Sequence, residues 1–285
     1  MAILLASARC TLPVLVTCPT PARKTMLRRR LPHWIAALVL AAGTAPRSFA
    51  QQAPTIAAAS DLKFALDEVA VLFERASGQR LRLVYGSSGN LYFQILQGAP
   101  FPMFMSADED LVFRLADAGK TVDRGRLYGI GRIGIMVPKG SALKADGSLQ
   151  DLALAIRDGR IRKFAIANPE HAPYGMRARE ALQTAGLWQA ITPHLVLGEN
   201  ISQAAQFALS GAAQGGIVAL SLALAPPIAA LGSFALIDES WHRPLRQRMV
   251  LLKDAPANAR DFYQFLATPA AQTVMRRYGF DMSRD

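Results

Sequence analysis

Hydroxyls, glycines and backbone amides at the starts of helices are the groups in this sequence whose types and spacing suit chemistry. Ser60 follows the apolar run 55–59 and opens a helical pattern. Ser87 and Ser88 follow the alternating run 80–85 (RLRLVY) and open another, with Gly86 and Gly89 on either side. Pro173, Tyr174 and Gly175 stand between an apolar run at 164–167 and a helix. Gly198, Glu199 and Asn200 precede a helix that starts at Ile201, and Ala219, Leu220 and Ser221 close the run that begins at Gly216. A helix start presents unpaired N–H groups and the positive end of the helix dipole. In open α/β sheets such turns gather at the carboxyl ends of strands, where ligands bind. Several of them converging make an anion site without any lysine or arginine. Short hydroxyl side chains add donors, and glycines let the backbone approach closely. A fully deprotonated tetrahedral dianion offers only acceptors, so it wants a shell made only of donors. Taken singly, each serine is better explained as a helix N-cap; only convergence distinguishes a site.

Other chemistries fit less well. Ser87 or Ser88 as a nucleophile would need a G-x-S-x-G elbow with a matched histidine and acid, and no such set follows YGSSGN. His171, His194 and His242 lie far apart without ligand spacing, so solvated or capping roles are expected and no metal cation site. The run RPLRQR at 243–248 reads as a solvated loop, with a docking face for a membrane transporter as the alternative. Trp188 and Trp241 read as packing residues.

The elements that must position these groups alternate along the chain. Strands are expected at 55–59, 80–85, 101–105, 133–137, 164–167 and 216–220. Helices are expected at 60–77, 90–97, 108–118, 177–185 and 201–210, with more at 258–278. This order gives an α/β class with mainly parallel sheets covered on both faces. The glycine-punctuated stretch 126–132 (RLYGIGR) is suited to carry the chain across to a second lobe, and 246–252 (RQRMVLL) to carry it back. The expected division is residues 51–130 with 248–285 in lobe I and 131–247 in lobe II.

The formal charge of +11 suggests a polyanion partner, but its distribution argues against one. Seven of the 32 basic residues lie before residue 51, where there is no acidic residue, leaving 25 basic against 21 acidic side chains. That is a mildly basic globular surface rather than a nucleic-acid-binding one. The first fifty residues read as targeting: Met26 precedes Arg28, Arg29 and Arg30, then comes the apolar stretch 34–42 (WIAALVLAA), then Ser48, Phe49 and Ala50 before a cleavage point. This is the pattern of a secretory signal peptide, too short to span a bilayer, with Met26 the expected start. Cys10 and Cys18 lie upstream of that point, so the exported chain is expected to carry no disulfide, no thiol chemistry and no lipid anchor.

Six strings occur in this order over nearly the whole mature chain: AAASDL at 57–62, YGSSGNL at 85–91, GAPFPMFMSAD at 98–108, ANPEHAPYG at 167–175, GENISQAAQFALSG at 198–211 and GIVALS at 216–221, with RRYGFDM near the end. Together they resemble the periplasmic molybdate-binding proteins of ABC importers. The resemblance implies a two-lobed type II periplasmic-binding fold with an oxyanion in the interlobe cleft. It also implies molybdate or tungstate as ligand, no cofactor, no catalysis, a periplasmic location, an inner-membrane permease as partner and a monomer. By that resemblance Ser60 and Ser88 match serines that donate hydroxyl and amide hydrogen bonds, Asp61 contributes its amide with its carboxylate turned away, and Tyr174 and Ile201 contribute amides. Some members carry a ligand-binding tyrosine where this chain has Ala219. Tyr174 is the expected replacement donor, with Ser221 in reserve.

Other oxyanions remain as rivals. Phosphate keeps a proton near neutral pH, so its site needs a buried acceptor, for which Asp61 or Glu199 would serve. Sulfate makes the same donor-only demand as molybdate and differs only in the pocket size it needs.

Overall fold

The computed structural model describes residues 53–281, and the expected signal peptide lies outside them. Among the described residues there are ten strands and eleven α-helices, for the most part alternating. The strands are β1 Thr55–Ala59, β2 Arg82–Gly86, β3 Met103–Ser106, β4 Arg126–Gly131, β5 Ile133–Pro138, β6 Phe164–Ala167, β7 Leu195–Gly198, β8 Gly216–Ala219, β9 Gly232–Leu236 and β10 Leu245–Leu251. The helices are α1 Lys63–Ser77, α2 Ser88–Leu96, α3 Glu109–Asp117, α4 Gln150–Arg157, α5 Pro173–Thr184, α6 Trp188–Ile191, α7 Ile201–Leu209, α8 Leu220–Ala223, α9 Pro226–Ala229, α10 Ala257–Phe265 and α11 Pro269–Arg277.

Two five-stranded sheets result, ordered β2-β1-β3-β10-β4 and β7-β6-β8-β5-β9. In the first, β1 pairs parallel with β2 and β3, while β10 pairs antiparallel with β3 and β4. In the second, β6 pairs parallel with β7 and β8, while β5 pairs antiparallel with β8 and β9. Each sheet is therefore mixed rather than mainly parallel. The reason is that β5 and β10, the strands on which the chain enters one lobe and returns to the other, run against their neighbours.

The chain leaves the first sheet at Gly131 and enters the second at Ile133, with Arg132 alone between them. It re-enters the first sheet at Leu245, so the RPLRQR run lies largely in a strand rather than in a solvated loop. Arg246 and Arg248 of that strand both pair with Glu109. Central strands are apolar throughout, as burial on both faces demands: every residue of β6 and β8 is buried. Ile56, Met103 and Met105 pack under α1, α10 and α11 on one face of the first sheet. Ala57 and Phe104 pack under α2 and α3 on the other. The second lobe has one core around β5, β6, β8, α5 and α7, with Trp188 and Trp241 packed against it.

Local chemistry sets the helix starts and stops. Ser87 caps α2 by accepting from the Asn90 amide, Asp108 caps α3 and Asn200 caps α7, each filling an orphan donor. Gly78, at φ 71°, ends α1 in the left-handed region where glycine alone is unstrained. Ser60–Leu62 form a single 3-10 turn before α1 instead of its first turn. No helix among the described residues is long and apolar enough to cross a membrane.

Candidate functional site

The turns at the carboxyl ends of β1, β2 and β6 and the start of α7 converge between the two lobes. They enclose a small cavity of about 10 Å³ lined by Ser60, Asp61, Ser88, Tyr174 and Ile201, together with Ala59, Gly86, Ser87, Ala107, Ala172 and Pro173. No lysine or arginine lines it. It is well below the roughly 300–1,000 Å³ of pockets that take drug-sized ligands.

The two serines are poised as donors by what their oxygens accept. Ser88 Oγ accepts from the Ala107 amide at 3.0 Å. Ser60 Oγ accepts from the Ser202 amide at 3.3 Å, across the cleft. A hydroxyl has one proton to give, and among the described residues no protein acceptor takes it from either serine. Both side chains are buried. A buried donor left without a partner is costly, so an acceptor in the cavity answers a need that the fold itself creates. No side chain caps α5, which begins at Ala172 and Pro173, so its first amides also face their surroundings unpaired. Gly175 allows this helix start to sit on the end of β6: a Cβ there would lie 2.2 Å from the Ala167 carbonyl oxygen.

Asp61 is the one carboxylate in the lining, and it is fully buried. Its Oδ2 accepts from the Tyr174 hydroxyl at 2.9 Å and from Gln247 Nε2 at 2.9 Å, while Oδ1 has no partner. Gln247 Oε1 in turn accepts from Tyr128 at 2.7 Å. Burial, only partly offset by the Gln247 and Tyr174 hydrogen bonds, pushes the Asp61 carboxyl up to about 6. Burial and the Asp61 charge raise the Tyr174 phenol, which stays neutral. A bulge in β10 at Gln247 and Arg248 re-aims this segment. Gly131 leaves the space, since a Cβ there would meet the Tyr174 hydroxyl at 2.4 Å and Gln247 Nε2 at 2.5 Å.

The donor set differs in part from the one expected. The Tyr174 hydroxyl is spent on Asp61, so what this residue can offer a ligand is its amide and not its phenol. Ala219 is fully buried at the end of β8, opposite Ile133, and does not line the cavity. The Ser221 hydroxyl donates to the Asp61 carbonyl at 2.9 Å. Glu199 stands at the rim of the cleft, exposed, bonded to Asn90 and 3.7 Å from His171 Nε2.

His171 and Gln247 were not foreseen. His171 ties the lobes together: its carbonyl accepts from the Gly89 amide at 3.0 Å, and its Nδ1 lies 2.8 Å from Ser87 Oγ. Arg177 makes a second tie, 3.5 Å from Asp108 on the opposite lobe. The cleft is closed.

A family model for bacterial extracellular solute-binding proteins matches residues 54–281. The chain belongs to that family. Among curated relatives of this solute-binding protein, the molybdate-binding protein ModA of Rhodobacter capsulatus is 34% identical over 75% of this chain and 82% of its own length. ModA of Azotobacter vinelandii is 32% identical over 86% of this chain and 97% of its own. The solved structure of the Azotobacter vinelandii periplasmic molybdate-binding protein superposes with a TM-score of 0.73 at 26% identity, covering 81% of this chain and all of that one. These relatives are named as binding proteins. The fold extends further, to the sulfate-binding protein SubI of Mycobacterium tuberculosis, with a TM-score of 0.65 at 17% identity over 80% of this chain and 86% of that one.

Proposed function

We propose that this solute-binding protein captures molybdate or tungstate in the periplasm and delivers it to the inner-membrane permease of an ABC importer. One observation carries the proposal: a small, cation-free cavity between two lobes into which two buried serines, each already accepting an amide proton, turn their own unpaired donors. A deprotonated oxyanion supplies the acceptors that this shell lacks. Ser60, Ser88 and the amides of Asp61, Tyr174 and Ile201 make up the proposed shell, and the names of the relatives support molybdate over other anions. Ala219 is proposed as a packing residue below the site. The protein acts as a monomer, without cofactor or nucleic acid, and does no chemistry on its cargo. Closure excludes water, which strengthens each hydrogen bond to the anion. Contacts from both lobes to the same anion add to the direct ties between them, so ligand binding shifts the population toward the closed form.

The direct test is calorimetric titration of the purified protein with molybdate, tungstate, sulfate and phosphate in turn. Tight one-to-one binding of the first two, with the others weak, is expected. Preferential binding of phosphate or sulfate would assign the same fold to a different importer. Ser60→Ala and Ser88→Ala should each weaken molybdate binding by about 1–3 kcal/mol, the worth of one hydrogen bond to a charged group. Unchanged affinity in both variants would remove this site from consideration.

A further inference from the structure

Asp61 is out of place in a shell built for a dianion. It lines the cavity, is 1% exposed, and no group that hydrogen-bonds its side chain carries a charge. Both acceptor positions of Oδ2 are filled, by the Tyr174 hydroxyl from α5 and the Gln247 amide from β10, whereas Oδ1 is buried and unpartnered. Around it, Tyr128 from β4 and Tyr174 are phenols held neutral by burial. Ser221 from α8 is uncharged and bonds the Asp61 carbonyl. A dianion entering this closed space would add two negative charges beside a third, with no lysine or arginine in the lining to offset them. Like charges at close quarters cannot all stay ionised cheaply, and the group able to give way is the carboxylate, because molybdate is fully deprotonated at neutral pH.

We propose that capture of the oxyanion takes up one proton, which resides on Oδ1 of Asp61, so that the closed cleft holds the anion together with a proton. This rests on the oxyanion function proposed above. Oδ1 is the seat because Oδ2 already accepts from two donors. The displacement of Asp61 toward its neutral form by burial alone acts in the same direction. The cargo is then retained more firmly as the pH falls and released more readily as it rises.

Titration of the purified protein with molybdate in two buffers of different ionisation enthalpy, near pH 7.5, counts the protons. Net uptake approaching one is expected, with affinity falling up to about tenfold per pH unit between about pH 7 and 8.5. In Asp61→Asn the uptake should vanish, the pH profile flatten, and molybdate bind more tightly than to the wild type at the alkaline end. His171 and Glu199, 3.7 Å apart at the rim, are the neighbouring ionisable groups, so His171→Gln and Glu199→Gln are the further variants: uptake that persists in both supports Asp61, even if Asp61→Asn fails to fold. Molybdate binding without proton uptake would overturn the proposal while leaving the oxyanion function intact, as would uptake that survives Asp61→Asn or is lost in His171→Gln or Glu199→Gln. No molybdate binding at all would overturn both.

Discussion

Gly89→Ala should lower molybdate affinity by at least about a hundredfold while leaving the unliganded protein as stable as the wild type. Gly89 lies in the first turn of α2, and its amide donates across the cleft to the His171 carbonyl at 3.0 Å. A Cβ on this residue would stand 2.3 Å from that oxygen and 3.1 Å from the His171 carbonyl carbon and Cα. Those atoms are backbone, on the opposite lobe, and no rotamer change relieves the contact. Within α2 itself the exchange is favourable, because glycine in a helix is worse than alanine by about 1 kcal/mol. The clash therefore falls on closure alone. Pushing the lobes apart far enough to clear it would break the Gly89–His171 bond, separate Ser87 from His171, and draw the lobe II amides away from an anion held on Ser60 and Ser88. Loss of two or three hydrogen bonds of which some are to charge amounts to about 3 kcal/mol or more, or roughly two decades in Kd. Thermal unfolding without ligand and calorimetric affinity for molybdate separate the two effects. Wild-type affinity in Gly89→Ala would show that the captured state does not use this contact.

The contrast between Gly89 and Gly131 shows what the sequence makes legible. The helix-start serines at Ser60, Ser87 and Ser88 could be found because their role is local: an apolar strand, a hydroxyl or glycine, then helical spacing. Five of the six site residues that the family resemblance implies line one cavity; the local pattern alone would leave each serine an N-cap. The bounds of β1, apolar from Ile56 onward, and of β6, apolar throughout, agree with those read from the sequence. The glycines of RLYGIGR mark it in the sequence as the crossing to a second lobe, and the chain does cross there, from Gly131 to Ile133. The stretch is β4, and its glycines are there because Phe280 crowds Gly129 and the Tyr174–Gln247 pair crowds Gly131, which is tertiary information. Strands β7 and β9 were missed because they are short, partly exposed and without clean alternation. The fate of each donor was equally hidden. Nothing near Tyr174 in sequence says that its phenol meets Asp61, 113 residues away, or that a bulge aims Gln247 at both. His171 looked solvated because its partners Ser87 and Gly89 come from the other lobe.

Asp61→Asn should stabilise the ligand-free protein at neutral and alkaline pH by up to about 3 kcal/mol. The carboxyl sits at about 6 in the folded protein against 3.8 for the free group, mainly through burial. A folded-state value above the unfolded one means that the native state binds the proton more tightly. The favourable contribution is then complete below about pH 4 and is lost as the pH rises through 6. Roughly two pH units at 1.36 kcal/mol each give the stated magnitude, an upper figure because the asparagine amide must fit the same Tyr174 and Gln247 contacts. Exposed carboxylates such as Asp146 and Asp238, held low by hydrogen bonds to nearby serines, act in the opposite sense and are common to both proteins. The difference between wild type and variant therefore isolates Asp61. Urea unfolding at about pH 3 and pH 8 should show the two converging at the lower value and separating at the higher, with Asp61→Asn the more stable. A variant less stable at pH 8 would mean that the hydrogen bonds from Tyr174 and Gln247 outweigh the cost of burying the charge. A stabilising asparagine would show that the cleft keeps an ionisable group there at the expense of its own stability. Such a cost is expected where a site needs the group for function, and in this cleft the function to which it points is binding a proton together with the anion.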